Sequence, residues 1–294
     1  MTITAKIIAD SVSTEGKRLT TLQLRYPRWI HSEFLTHRVF SRNASSSRAI
    51  PVERLIADIL RDTAMPLHWG KNQPGMQAKE QHGAVVRLSQ AGSFPFTNKQ
   101  AWLIARDNAV AVARAFAAAG YHKQIVNRLL EPFSHINVLV TSTEWDNFFE
   151  LREHPDAQPE IRALAVAMRA SMDSSTPDIL QEDQWHLPYI TAKEHRDAYY
   201  GPSQTPAWNT LIRCSVARCA RVSYFTHEGK PPNIEDDLKL YDRLVGARPL
   251  HASPAEHQAR PVGLFEREKL SMTGNFKGWI QYRKLLEIEM TRGN

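Results

Sequence analysis

The chain has 294 residues, 42% of them hydrophobic and 23% charged, which excludes a disordered, fibrous or minimal-domain protein and suits one elaborated domain or two intimate ones. A formal charge of +6 and a pI near 9.3 favour an anionic partner, yet acids interrupt the basic residues everywhere, so phosphorylated small molecules fit better than nucleic acid. Cys214 and Cys219 are the only cysteines, and neither a disulfide framework, a metal site, an export leader nor a membrane span is expected, which places the protein in the cytoplasm.

Residues 19–25, LTTLQLR, alternate with a leucine and β-branched bias and predict a strand closed by Tyr26-Pro27. Residues 28–38 read as helix. The following SRNASSSRAIP reads as a loop, because Ser and Asn side chains bond nearby backbone and compete with helix. Pro51 opens a short amphipathic helix to about Leu60. Residues 66–100 carry glycines, prolines and polar residues without a period, the composition of an irregular excursion of the kind that forms lids.

Trp102, Ala105, Ala109, Val112, Ala113 and Phe116 keep helical spacing and predict a helix over 101–119 capped at Gly120. A helix over 122–130 ended by Pro132, a strand over 136–141 and a helix over 157–172 follow. Residues 173–210, rich in Ser, Thr, Pro, Asp and Tyr, read as a linker or arm. Amphipathic helices are expected over 234–245, stopped by Gly246, and over 279–290. The loops GxGxxG, GxxxxGK[ST] and GxSxG and the HExxH motif are absent from the sequence, which withdraws the Rossmann, P-loop, esterase and zincin readings.

Chemistry concentrates in the stretch 37–48, where three arginines, a histidine, four serines and an asparagine follow a helix. Such a loop offers many donors to phosphate or carbonyl oxygens. Anion binding is the direct reading, with a solvated polar loop as its competitor. The block resembles the signature of the flavin-dependent thymidylate synthases, and His37, Arg38, Ser41, Asn43, Ser46 and Arg48 fall in register with it. Further blocks of that family follow in order: Arg128 and Pro132 in an Arg-x-x-x-Pro turn, Asn147-Phe148-Phe149-Glu150-Leu151-Arg152, and Ala157-Gln158-Pro159-Glu160-Ile161. A last segment is displaced. Ala220-Arg221-Val222-Ser223, the helix over 234–245 and His251-Ala252-Ser253-Pro254-Ala255-Glu256-His257 stand after the signature, whereas in the family their counterparts precede it. Circular permutation, with 173–210 bridging the old ends, is the simplest account.

The resemblance implies an α+β fold, helices packed on a mixed or antiparallel sheet, of the thymidylate synthase-complementing type and circularly permuted. Residues 1–172 would form the signature-bearing part, 173–211 the linker or arm, and 212–294 the permuted segment completing the same domain plus a C-terminal helix. It further implies a homotetramer that binds FAD and methylates dUMP to dTMP, with methylene-tetrahydrofolate and NADPH as co-substrates. Carried over position by position, His37, Arg38, Asn147, Ser223, His251 and Ser253 would hold FAD. Ser46, Arg48, Arg128 and Arg152 would bind the nucleotide, and Arg152, Arg48 and Glu33 would act on the base.

Thr36, Ala44, Ala49 and Glu33 stand where the family usually has Arg, Glu, Tyr and Gln. Exchanging Gln for Glu removes an amide donor and leaves only acceptors, which favours a base with an exocyclic amine. The alternatives are therefore a variant pyrimidine methyl- or hydroxymethyltransferase acting on dUMP or dCMP, and a homologue that binds flavin or nucleotide without catalysis. Nucleic-acid binding through the basic face is a further, weaker alternative.

Overall fold

A computed structural model of the chain describes residues 2–88, 94–200, 204–222, 229–246 and 251–292. Two long strands open it, β1 (Thr4–Ser13) and β2 (Arg18–Pro27), joined by a turn in which Gly16 takes φ +76. The alternation along β2 sends Leu22, Leu24 and Tyr26 into the main apolar cluster, while Thr21 and Gln23 face the other layer.

The helix expected over 28–38 shortens to one 3-10 turn, Arg28–Ile30, and α1 (His31–Phe34). Arg42 explains the stop: its Nη1 donates to the carbonyls of Leu35 (2.8 Å) and His37 (3.3 Å), ending the helix through a side chain seven residues on. Arg42 lies in β3 (Ser41–Ala44), a strand inside the segment that reads as a loop. Next come α2 (Val52–Arg61), the two-residue strands β4 (Val86–Arg87) and β5 (Pro95–Phe96) within the irregular excursion, and α3 (Asn98–Ala118), opened by a Thr97/Gln100 capping box. Only α4 (Lys123–Val126) of the helix expected over 122–130 is α-helical; a 3-10 segment, Asn127–Phe133, carries the chain through Pro132.

The chain continues with β6 (His135–Ser142), α5 (Asp146–Arg152) and α6 (Pro159–Asp173). The segment expected to be a bare linker contains β7 (Asp178–Leu180), α7 (Ala192–Tyr200) and the start of α8 (Gln204–Arg221). Helix α8 shows no amphipathic period because it is buried nearly all round, including Ser215 and Arg218. Last are α9 (Ile234–Val245), β8 (Ala259–Pro261), β9 (Trp279–Gln281) and α10 (Tyr282–Arg292). The pairing of β9 with β8 takes the first three residues of the helix expected over 279–290 into a strand.

The main sheet has the order β3-β6-β2-β1-β7 and is antiparallel except for the β1–β7 pair, so the fold is α+β on a mixed sheet, as expected. One face packs on α5 and α6 through Leu22, Val138, Phe148, Ile161 and Leu164. The other carries a buried polar chain. Ser11 Oγ meets His186 Nδ1 at 2.9 Å, His186 Nε2 meets Thr21 Oγ1 at 2.7 Å, Thr21 meets Thr141 at 2.7 Å, and Thr141 meets His257 Nδ1 at 2.8 Å. Residues 186 and 257 are thereby tied across three strands. Asn43 of β3 donates to the Cys219 carbonyl of α8 at 3.1 Å, adding a second link. Among the described residues no helix is long and apolar enough to cross a membrane.

Candidate functional site

The tight turns after α1 bury His37 and Phe40 against Phe34 and Phe148. The His37 ring stands edge-on to Phe148 (4.8 Å, 81°) and stacks with Phe40 (5.8 Å). At the end of α5, Arg152 turns onto this loop. Its Nε donates to His37 Nε2 (3.0 Å), its Nη2 donates to Thr36 Oγ1 (3.2 Å), and its Nη1 sits 3.5 Å from Glu33 Oε2. An accepting Nε2 requires a neutral imidazole with its proton on Nδ1. Burial, helped by the Arg152 and Arg42 charges, lowers the His37 pKa to about 4 and secures that state.

Beside this cluster lies a cavity of about 600 Å³, walled in part by Val39, Phe40, Phe148 and Leu151. Arg38 and Asn147, both exposed, line it together with His37, and Lys17, Arg18 and Lys277 add cations against Glu144 and Asp146. Apolar walls with a basic rim suit a flat ring carrying phosphates, so the residues present fit the flavin dinucleotide that the resemblance implies. A second, larger cavity of about 1060 Å³ lies under the excursion around Met76 and is lined by Glu33, Trp29 and Arg152.

Ser46 and Arg48 stand exposed on and beside the 3-10 turn Ser47–Ala49. Buried Asn127 holds that turn, donating to the carbonyls of Ser47 (2.7 Å) and Ile50 (3.0 Å). Glu131 gathers Ser47 Oγ (2.9 Å), Arg128 (2.9 Å) and Arg28 (3.2 Å). The structure thus joins Ser46, Arg48 and Arg128 in one surface cluster, and His37, Arg38, Asn147, Arg152 and Glu33 in another. His251 is exposed, its backbone N donating to the Leu244 carbonyl at 3.2 Å, and Ser253 is exposed on the 3-10 turn Ser253–Glu256 that packs against β3. Neither lines the 600 Å³ cavity. Ser223 lies outside the described residues.

The family model described as thymidylate synthase complementing protein matches residues 18–178. The chain belongs to this family. Among solved structures it is similar to the UMP/dUMP methylase PolB from Streptomyces cacaoi bound with 5-Br dUMP, at 14% identity over 58% of this chain and 90% of that one, with a TM-score of 0.43. The same protein bound with 5-Br UMP gives 15% identity over 58% and 88%, with a TM-score of 0.38. No curated protein matches.

Two departures from the thymidylate synthase complementing pattern, Thr36 and Glu33, meet on Arg152, since both accept from its guanidinium. An arginine at position 36 would instead set a second cation beside it. Asn43, part of the signature, serves the fold through Cys219. Sequence reasoning missed Lys17 and Lys277 because they reach the cavity from opposite ends of the chain, and neither has a motif around it.

Proposed function

We propose that this protein transfers a one-carbon unit to C5 of a pyrimidine deoxynucleotide monophosphate, with FAD as cofactor, methylene-tetrahydrofolate as carbon donor and NADPH as reductant, dUMP to dTMP being the reference reaction. The observation that carries this reading is the Arg152–His37–Thr36–Glu33 cluster beside a basic, apolar-walled cavity, inside the segment matched by the family. Bound flavin would supply the redox chemistry, and the protein would bind, orient and polarise.

Arg38 and Asn147 face the cofactor cavity in this reading, and neutral His37 fixes Arg152 through Nε2. Arg152 then presents a planar donor to a base carbonyl, while Ser46, Arg48 and Arg128 take the nucleotide phosphate. Arg48 and Arg128 come from separate turns whose backbones Asn127 and Glu131 help to hold. We place His251, Ser253 and Ser223 at the flavin through the permutation. Its support is the packing of Ser253–Glu256 on β3, which follows the His37–Arg38 turn directly. We place the completion of each site across neighbouring subunits of a homotetramer, as the family resemblance implies.

Glu33 favours a second reading of the substrate. Its carboxylate, beside Arg152, accepts and cannot donate, which suits the exocyclic amine of dCMP. Incubating the protein with FAD, NADPH, methylene-tetrahydrofolate and dUMP or dCMP, with product mass measured, tests both readings. A methylated or hydroxymethylated mononucleotide is expected from one of them. Unchanged nucleotides with flavin bound and reduced would overturn the transfer reaction.

A further inference from the structure

Beyond the segment matched by the family, the chain returns to the signature loop from behind. Asn275 Nδ2 donates to the Val39 carbonyl at 2.7 Å, and Ser41 Oγ donates to Asn275 Oδ1 at 3.2 Å. Buried Gln281 braces Asn275 in turn, its Nε2 donating to Asn275 Oδ1 (2.9 Å) and to the Glu256 carbonyl (3.1 Å). Gly274 permits this closeness: its φ is +58, and a Cβ there would stand 2.5 Å from Gln281 Oε1.

The same strap delivers a cation. The backbone N of Lys277 donates to Thr143 Oγ1 at 3.0 Å, and its ammonium pairs with Glu144 at the cavity rim. One residue on, Gly278 takes φ +80 and packs so closely on Lys17 that a Cβ would meet Lys17 Cγ at 3.0 Å. Trp279 Nε1 then donates to the Lys17 carbonyl at 3.2 Å. Lys17 and Lys277, separated by most of the chain, are thus brought to one cavity that Arg38 also lines. Among the described residues Lys17 and Arg38 have no carboxylate partner, and a diphosphate, with more negative charge than one carboxylate, would compete with Glu144 for the Lys277 ammonium.

We propose that Lys17 and Lys277 form the seat for the phosphates of the ligand in this cavity, with Asn275 as a positioning residue that holds Arg38 toward them. The seat is occupied by a diphosphate-bearing ligand, which is FAD if the proposed function is right. Its chemistry is that of any adenosine diphosphate group, so the seat and the flavin reading stand apart.

Titrating the full-length protein with FAD, riboflavin and ADP separates them. Lys17→Ala/Lys277→Ala should weaken FAD at least about tenfold and leave riboflavin unchanged, with a shallower dependence on salt. Lys277→Arg should restore most of the loss. Both lysines are exposed, so the thermal midpoint should hold. Equal loss of riboflavin, or FAD binding equal to the parent's, would overturn the seat. If the parent binds ADP through these lysines but no flavin, the seat stands and the flavin reading falls; if it binds neither FAD nor ADP, the seat falls. Asn275→Ala should weaken FAD by itself and add nothing in an Arg38→Ala background, whereas additive losses would remove its positioning role.

Discussion

Lowering the pH from 7.5 to 5 should destabilise this protein before most carboxylates titrate. His37, His186 and His257 are buried and neutral, and burial is the first cause in each of a pKa lowered from 6.5 to about 4, about 3 and about 3. In the unfolded chain each takes up a proton near pH 6.5, while in the fold it does not until the lower value. The stabilisation is therefore complete above about pH 6.5 and declines as pH falls toward 4 and 3. Linkage gives a loss of roughly 2 kcal/mol per histidine at pH 5, about 6 kcal/mol for the three, against a typical total stability of about 5–15 kcal/mol. Urea midpoints followed by tryptophan fluorescence at half-unit pH steps measure it. His257 is the most telling position because its buried Nε2 has no partner among the described residues, so a proton there finds none of them to bond. His257→Asn retains a polar group near Nδ1 and should reduce the slope by about one proton, roughly 1.4 kcal/mol per pH unit. Stability that stays level from pH 7.5 to 5, or a slope unchanged in His257→Asn, would refute the reasoning.

Arg152→Lys keeps the charge, yet one ammonium cannot reach His37, Thr36 and Glu33 together; turnover should fall on the order of tenfold or more, with the thermal midpoint nearly unmoved. Asp237→Ala leaves the paired Arg218 and Arg221 without their shared carboxylate in the interior, a loss of about 3–5 kcal/mol readable from urea unfolding. Burial raises both thiols, Cys214 to about 11 and Cys219 further, so a disulfide reagent at pH 8 should label neither in the native protein and both in urea. Glu33→Gln restores the family's amide and should raise the ratio of dUMP to dCMP turnover; an unchanged ratio would remove Glu33 from base selection.

The helices α2, α3, α6 and α9 were legible because one face of each meets the core and the other meets water, and β2 and β6 because apolar residues facing the main core alternate along them, although their second face is buried too. Strand β1 was not, since its last residues, Asp10, Ser11 and Ser13, are buried by bonding Arg18, His186 and Lys17 rather than by being apolar. Helix α8 hid for the related reason that Arg218 is buried among carboxylates of α7 and α9. In the candidate site, His37, Arg38, Asn147 and Arg152 stand at motif positions that the sequence displays. That Arg152 bonds His37, from 115 residues away, was not legible there. Nor was the strap from Gly274 to Gln281, whose effect depends on two glycines at positive φ and on partners more than two hundred residues distant.

The departures at Glu33 and Thr36 make physical sense as one change. With the family's glutamine and arginine there, Arg152 would face a neutral amide and a second cation. Here it faces a carboxylate and a hydroxyl, both accepting, so the local charge is lower by two and the guanidinium is held from three sides. A group fixed before binding loses little freedom when the ligand arrives. The same arrangement leaves fewer free donors to greet a second carbonyl and adds an acceptor at the edge of the larger cavity, which Glu33 and Arg152 both line. Uracil and cytosine differ by a carbonyl or an amine at one ring position, so a fixed donor flanked by a carboxylate distinguishes them by whether that carboxylate finds a proton to accept. Under the proposed function, base choice therefore rests on the Glu33–Arg152 pair, whereas the phosphates are held elsewhere, by residues indifferent to the base.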